Sequence, residues 1–167
     1  VKSINFLKDM VLFEGLAKEE ITKFIEITQE VFFSQGEIII KENEAGDTMF
    51  IILEGIVEVS KSLALKLGNH VFSENEKILN HLSADNHVVF GEVALFEQFP
   101  RTASITAATD VHFYKVKRGD FHKFAHENPA IGYKITRNIA RILCYRLRKT
   151  NEDVIKLATT LGIALSN

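Results

Sequence analysis

The chain has one cysteine in 167 residues. That excludes an intrachain disulfide framework and suits a reducing compartment. It has no apolar run long enough to span a membrane. Charge of one sign is missing as well: Lys and Arg total 20 against 22 Asp and Glu. The chain as a whole therefore has no basic footprint for nucleic acid. His-x-His is absent, although a barrel that holds a metal in cupin fashion needs it on adjoining strands. His122 and His126 stand one helical turn apart with no third ligand evident, and read as surface histidines. Cys144 has no matched His and Asn and reads as a buried apolar residue of the last helix. These absences argue against an enzyme and imply neither a metal nor a resident cofactor. The opening residues, V-K-S-I-N-F-L-K, do not read as a signal peptide, and a cytoplasmic location is expected. A first residue of Val rather than Met reads as the start of a piece of a longer protein.

The apolar fraction of 46% and thirteen Phe are ample for one core, and the length fits one domain plus an appendage. Residues 1–127 read as the domain and residues 128–167 as the appendage. Phe6 to Glu30 carries helical spacing, broken at Glu14-Gly15. From Val31 the period changes to short β-rich runs: Val31-Phe33, Glu37-Ile40, Thr48-Leu53 and Ile56-Ser60. Glycine turns at Gly36, Gly46 and Gly55 separate them, each read as a position of positive φ. Such runs predict an antiparallel barrel or jelly roll. Lys77-Leu82 reads as a strand, and 63–76 as a hairpin extension or a mobile loop. Thr106-Val116 closes the barrel. Asp120 is the expected N-cap of the helical turn that follows.

The chemistry is concentrated between Phe90 and Ile105, F-G-E-V-A-L-F-E-Q-F-P-R-T-A-S-I. Gly91 follows a buried apolar run, and Glu92 to Phe96 can make one helical turn. The N–H groups at the start of such a turn lack partners and favour an anion. The Arg101 guanidinium can grip a phosphate through two parallel hydrogen bonds. Glu92 suits a sugar hydroxyl. A phosphate, a ribose hydroxyl and a confined backbone together suggest a nucleotide.

Gly91-Glu92-x-Ala94-Leu95, followed by Arg101-Thr102-Ala103, resembles the phosphate-binding cassette of cyclic nucleotide-binding domains. The acid-to-arginine spacing is similar to that of protein kinase A regulatory subunits. The flanks F-F-S-Q-G-E-I-I-I and V-H-F-Y-K-V-K-R-G-D-F resemble the strands that bracket the cassette. The resemblance implies a ligand, cAMP or cGMP, held at its phosphate by Arg101, Thr102 and the backbone around Ala94, Leu95 and Ala103. Glu92 and the Gly91 backbone would take the ribose hydroxyl. Two stretches depart from the pattern: His87-Val88 replaces a Gly-Asp turn, and Gln98-Phe99 stands where many members carry glycine.

Asn128-Pro129 is a helix start signal, and no proline follows. Thr136, Ala140, Leu143, Leu147, Thr150, Val154, Leu157, Leu161 and Ala164 alternate in steps of four and three. That heptad seam predicts a helix–helix partner, and with it a homodimer. Arg137, Arg141, Arg146, Arg148 and Lys149 read as a solvated face. The helix resembles the dimerisation helix of catabolite activator proteins, in which a Thr-Ser pair reaches the base. The matching pair is Thr150-Asn151, although Thr150 also fits as a polar residue within a dimer seam. Thr102 resembles the hydroxyl of cGMP-selective kinase sites, whereas the long helix resembles the bacterial type and favours cAMP. The expected function is a ligand-gated module that relays occupancy to an effector or DNA-binding partner, without touching nucleic acid or membrane itself. The competing expectation is a dimerisation module whose pocket is degenerate or senses another small ligand.

Overall fold

A computed structural model describes residues 4–67 and 70–165, with backbone alone for 63–67 and 70–76. Among the described residues, eight strands form two four-stranded antiparallel sheets. The strands are β1 (Gln29–Phe33), β2 (Ile38–Ile40), β3 (Thr48–Glu54), β4 (Ile56–Leu67), β5 (His70–Ser83), β6 (Val89–Phe90), β7 (Ser104–Ala107) and β8 (Val111–Lys117). One sheet runs β1-β8-β3-β6 and the other β2-β7-β4-β5. Ile40, Phe50, Ile52, Phe90, Ile105 and Phe113 interlock between the sheets as a single cluster. This is the expected jelly-roll class, built as two facing sheets rather than a closed barrel.

The helices are α1 (Ile4–Lys8), α2 (Lys18–Ile25), α3 (Arg118–Glu127) and α4 (Pro129–Leu165). They cover the outer face of the first sheet, where Met49, Ile51, Leu53, Tyr114 and Val116 meet Phe13, Phe24, Phe124, Ile135 and Ile139. β3 is thus buried on both faces, which explains why Met49 to Leu53 is uninterruptedly apolar instead of alternating.

Several boundaries differ from the sequence reading. The N-terminal helical stretch breaks into α1, a 3₁₀ turn at Val11–Phe13 and α2, and it ends at Ile25 rather than Glu30. Gly15, at φ +78°, separates the last two pieces. Thr106-Val116 is not one strand: β7 and β8 belong to different sheets, and the chain crosses between them at 108–110. Of the two readings offered for 63–76 the hairpin extension holds: β4 and β5 pair as far as Leu67 and His70, with a register shift between Ala64 and Lys66. α3 starts at Arg118 with Lys117 as its cap, so Asp120 lies inside the first turn. α4 starts at Pro129 as expected and runs for 37 residues, about 55 Å at 1.5 Å per residue.

The proximal half of α4 is anchored. Ile131, Ile135 and Ile139 are buried. Asn138, fully buried, donates to the carbonyls of Leu12 (3.0 Å) and Glu14 (2.8 Å). Lys134 pairs with Glu20 at 2.7 Å, and Arg141 with Glu14 at 2.8 Å. From Leu147 onward α4 is exposed throughout its described length. Cys144 is exposed too, contrary to the expectation of burial, because the buried stripe of α4 runs through Ile135 and Ile139 and misses it. None of the described helices is long and apolar enough to cross a membrane.

Candidate functional site

β6 pairs with β3 through Phe50–Phe90 and Ile51–Val89, which fixes where the cassette begins. Gly91 then turns the chain in the left-handed region, at φ +73°. A side chain there would stand 2.7 Å from the Thr48 carbonyl and 2.9 Å from Arg101 Nη1. Both the conformation and the close approach require glycine. Glu92–Leu95 follows as a 3₁₀ turn. The Ala94 N–H donates back to the Gly91 carbonyl at 3.1 Å, so in this state that expected anion donor is already engaged.

The far end of the cassette is tied to the β2–β3 turn. The Arg101 N–H donates to the Glu44 carbonyl, and the Asn43 N–H donates to the Arg101 carbonyl, both at 2.9 Å. The guanidinium donates to Thr48 O and Oγ1, each at 2.9 Å. It lies flat against Gly46, where a side-chain carbon would come within 2.0 Å of Nε. Gly46 is therefore not a positive-φ turn residue as read; it is bare because Arg101 occupies the space. Gly36 and Gly55 do take positive φ. Burial pulls the Arg101 pKa down, while the charges of Asp47 and then Glu92 oppose that pull. Among the described ion pairs none involves Arg101. A half-buried cation whose described side-chain hydrogen bonds go to Thr48 alone is poised for an anion.

Glu92 is buried, at 3% exposure. Its Oε1 accepts from Arg146 Nη1 at 2.5 Å, and Arg146 Nη2 donates to the Val89 carbonyl at 2.6 Å. Arg146 is thus not one of a solvated row. It reaches from α4 into the cassette, a role that the sequence reading missed. Arg118 also grips the cassette, donating to the carbonyls of Ala94 and Glu97 at 2.6 Å each. His122 Nε2–H donates to the Leu95 carbonyl at 2.8 Å.

A cavity of about 860 Å³ lies between the cassette, the second sheet and α4. Gly91, Glu92, Ala94, Arg101, Thr102, Ala103 and Thr150 all line it. Leu95 does not; it is fully buried in the helical core. Asn151 also stays off the cavity of its own chain, because the α4 face that lines it runs through Arg146, Lys149, Thr150, Asp153, Val154 and Leu157. A smaller groove holds Lys115, Lys117 and Lys123 beside Glu26, Asp120 and Glu127; those charges offset one another and present no site of one sign. No cluster of three metal-ligating side chains occurs among the described residues.

The sequence pattern of the cyclic nucleotide-binding domain matches residues 30–128, cassette included. The chain belongs to that family. This cyclic nucleotide-binding domain is 28% identical over 149 residues to a CRP-like cAMP-activated global transcriptional regulator of Mycobacterium tuberculosis, covering 89% of this chain and 60% of the regulator. It therefore spans about three-fifths of that relative's length. It is 37% identical over 104 residues to a cAMP-dependent protein kinase regulatory subunit of Mycosarcoma maydis, covering 62% of this chain and 18% of the subunit. In fold it is similar to the Catabolite Activator Protein of Thermus thermophilus, with a TM-score of 0.75 at 24% identity over 89% of this chain and 63% of that one.

Proposed function

We propose that the cavity binds a cyclic nucleotide, cAMP in preference to cGMP, and that occupancy is relayed through α4. The supporting observation is the juxtaposition of a half-buried Arg101, absent from the described ion pairs, with a buried Glu92 across the Gly91 turn. The cyclic phosphate meets Arg101, Thr102 and the backbone of the cassette. The ribose hydroxyl meets Glu92, whose described hydrogen bonds engage only Oε1. The base extends toward Thr150 on α4. A ligand that uses Glu92 must share it with Arg146 or displace it. That gives the two positions of α4 different affinities for ligand, without which no relay is possible. The cAMP preference rests on the long α4, which resembles the helix of the bacterial activators. The distal half of α4 exposes Leu147, Val154, Leu157 and Leu161 at 57–70%, which supports a homodimer with a second copy of this helix. The output is an effector or a DNA-binding segment elsewhere.

Calorimetric titration with cAMP and cGMP tests this. We expect micromolar or tighter binding, stronger for cAMP. Arg101→Ala should weaken it by about 2–5 kcal/mol, since a buried phosphate charge loses its partner. Unchanged affinity in that variant overturns the phosphate assignment. The Arg146–Glu92 pair also favours a second reading, a dimerisation module whose pocket is closed to nucleotides. Absence of heat with either nucleotide, from folded and nucleotide-free protein, would support it.

A further inference from the structure

The cavity lining is of two kinds. Arg101, Arg146 and Glu92 are among its charged members. Leu79 (54% exposed), Val93 (44%), Phe99 (64%), Val154 (57%) and Leu157 (70%) are all exposed and all line the same concavity. Exposed apolar side chains scattered singly are ordinary. Five converging on one hollow, drawn from β5, the cassette and α4, mark a place for an apolar group of the ligand.

Phe99 stands out among them. Its backbone is held from both sides: Arg118 bonds the Glu97 carbonyl at 2.6 Å, and Pro100 bridges to Ala45 on the β2–β3 turn. None of the described aromatic pairs includes its ring. A fixed loop thus presents a large flat side chain without an aromatic partner at the cavity, only two residues from the phosphate-gripping arginine. The ring costs exposed apolar surface and packs into no core. A planar ligand group supplies what it lacks.

We propose that Phe99 is the base-stacking, specificity-determining residue of this site. Its ring covers one face of a purine whose phosphate lies on Arg101. The wide purine also reaches Val154 and Leu157 on α4, so the site favours cyclic purine nucleotides over cyclic pyrimidine nucleotides. The inference rests on the nucleotide reading above. Stacking of a base on an aromatic side chain is worth roughly tenfold to hundredfold in affinity.

The test uses the full chain as wild type and as Phe99→Ala, Phe99→Tyr and Phe99→Trp, titrated with cAMP, cGMP and cCMP. Phe99→Ala should lose roughly tenfold to hundredfold for both purine nucleotides and far less for cCMP, while Phe99→Tyr keeps wild-type affinity. The chain has no tryptophan, so Phe99→Trp places a single indole at the site. Saturating cAMP should quench its emission by stacking. Wild-type cAMP affinity in Phe99→Ala, or an indole emission unmoved at saturation, overturns the inference and leaves the nucleotide reading intact. Failure of the wild type to bind any of the three overturns both.

Discussion

Removing Arg146 should cost more than removing any other surface-reaching arginine of α4. In Arg146→Ala the Glu92 carboxylate, whose side chain is 4% exposed, loses a partner at 2.5 Å, and the Val89 carbonyl loses a donor at 2.6 Å. Breaking a fully buried ion pair costs about 3–5 kcal/mol. The Arg146 side chain is 38% exposed, so water can enter where it was, and we place the cost at the low end, about 2–3 kcal/mol. For a chain of this length that corresponds to a fall in Tm of about 4–12 °C. Glu92→Gln keeps the shape and removes the charge. If the two side chains act as a pair, the double variant will be less destabilised than the sum of the singles by about 1–3 kcal/mol. The assay is urea unfolding of all four proteins at one protein concentration, because a dimer would make stability concentration-dependent. Single-variant effects that add to within about 0.5 kcal/mol would refute the reasoning, and α4 would then be held by its apolar face alone.

Gly91→Ala should destabilise the fold by about 1–3 kcal/mol and abolish nucleotide binding, since the methyl group meets the Thr48 carbonyl and Arg101 together; a thermal melt and a titration read the two effects. Lys134, and then the Ala17 N–H, hold the Glu20 carboxyl below its ordinary value of 4.5. Its folded pKa is therefore the lower one, so its contribution is full at neutral pH and disappears as the pH falls through the acid range below that value. Urea midpoints from pH 6 to pH 3 should fall more steeply for wild type than for Glu20→Gln. Light scattering should give twice the chain mass, and Leu157→Glu should return it to one chain.

The cassette was legible because its constraints are local in sequence. A left-handed glycine, an acid beside it and an arginine at fixed spacing leave a pattern that chain order alone displays. Glycine turns and changes of period likewise revealed the strands. What stayed hidden depends on contacts between distant segments. Arg146 lies 54 residues from Glu92, on a helix rich in arginine, and nothing nearby sets it apart from Arg148. Gly46 looked like other turn glycines because the group it makes room for, Arg101, arrives from another part of the chain. The division of Thr106-Val116 was hidden for a different reason: both halves are good strands, and only the sheet each one joins tells them apart. Cys144 fits an apolar helix position by chemistry; which side of α4 meets the core is decided by Ile131, Ile135 and Ile139.

The uneven anchoring of α4 gives the helix a root packed into the core and a solvent-exposed distal half. Arg146 marks the boundary between the two, where the described hydrogen bonds from α4 to Glu92 and Val89 are made. From there to Leu165 the helix extends roughly 29 Å at 1.5 Å per residue, and a tilt of about 10° would carry the tip about 5 Å. Under the relay proposed above, a small rotation at the Glu92–Arg146 contact would therefore carry the distal end of α4 through a distance close to one helical turn.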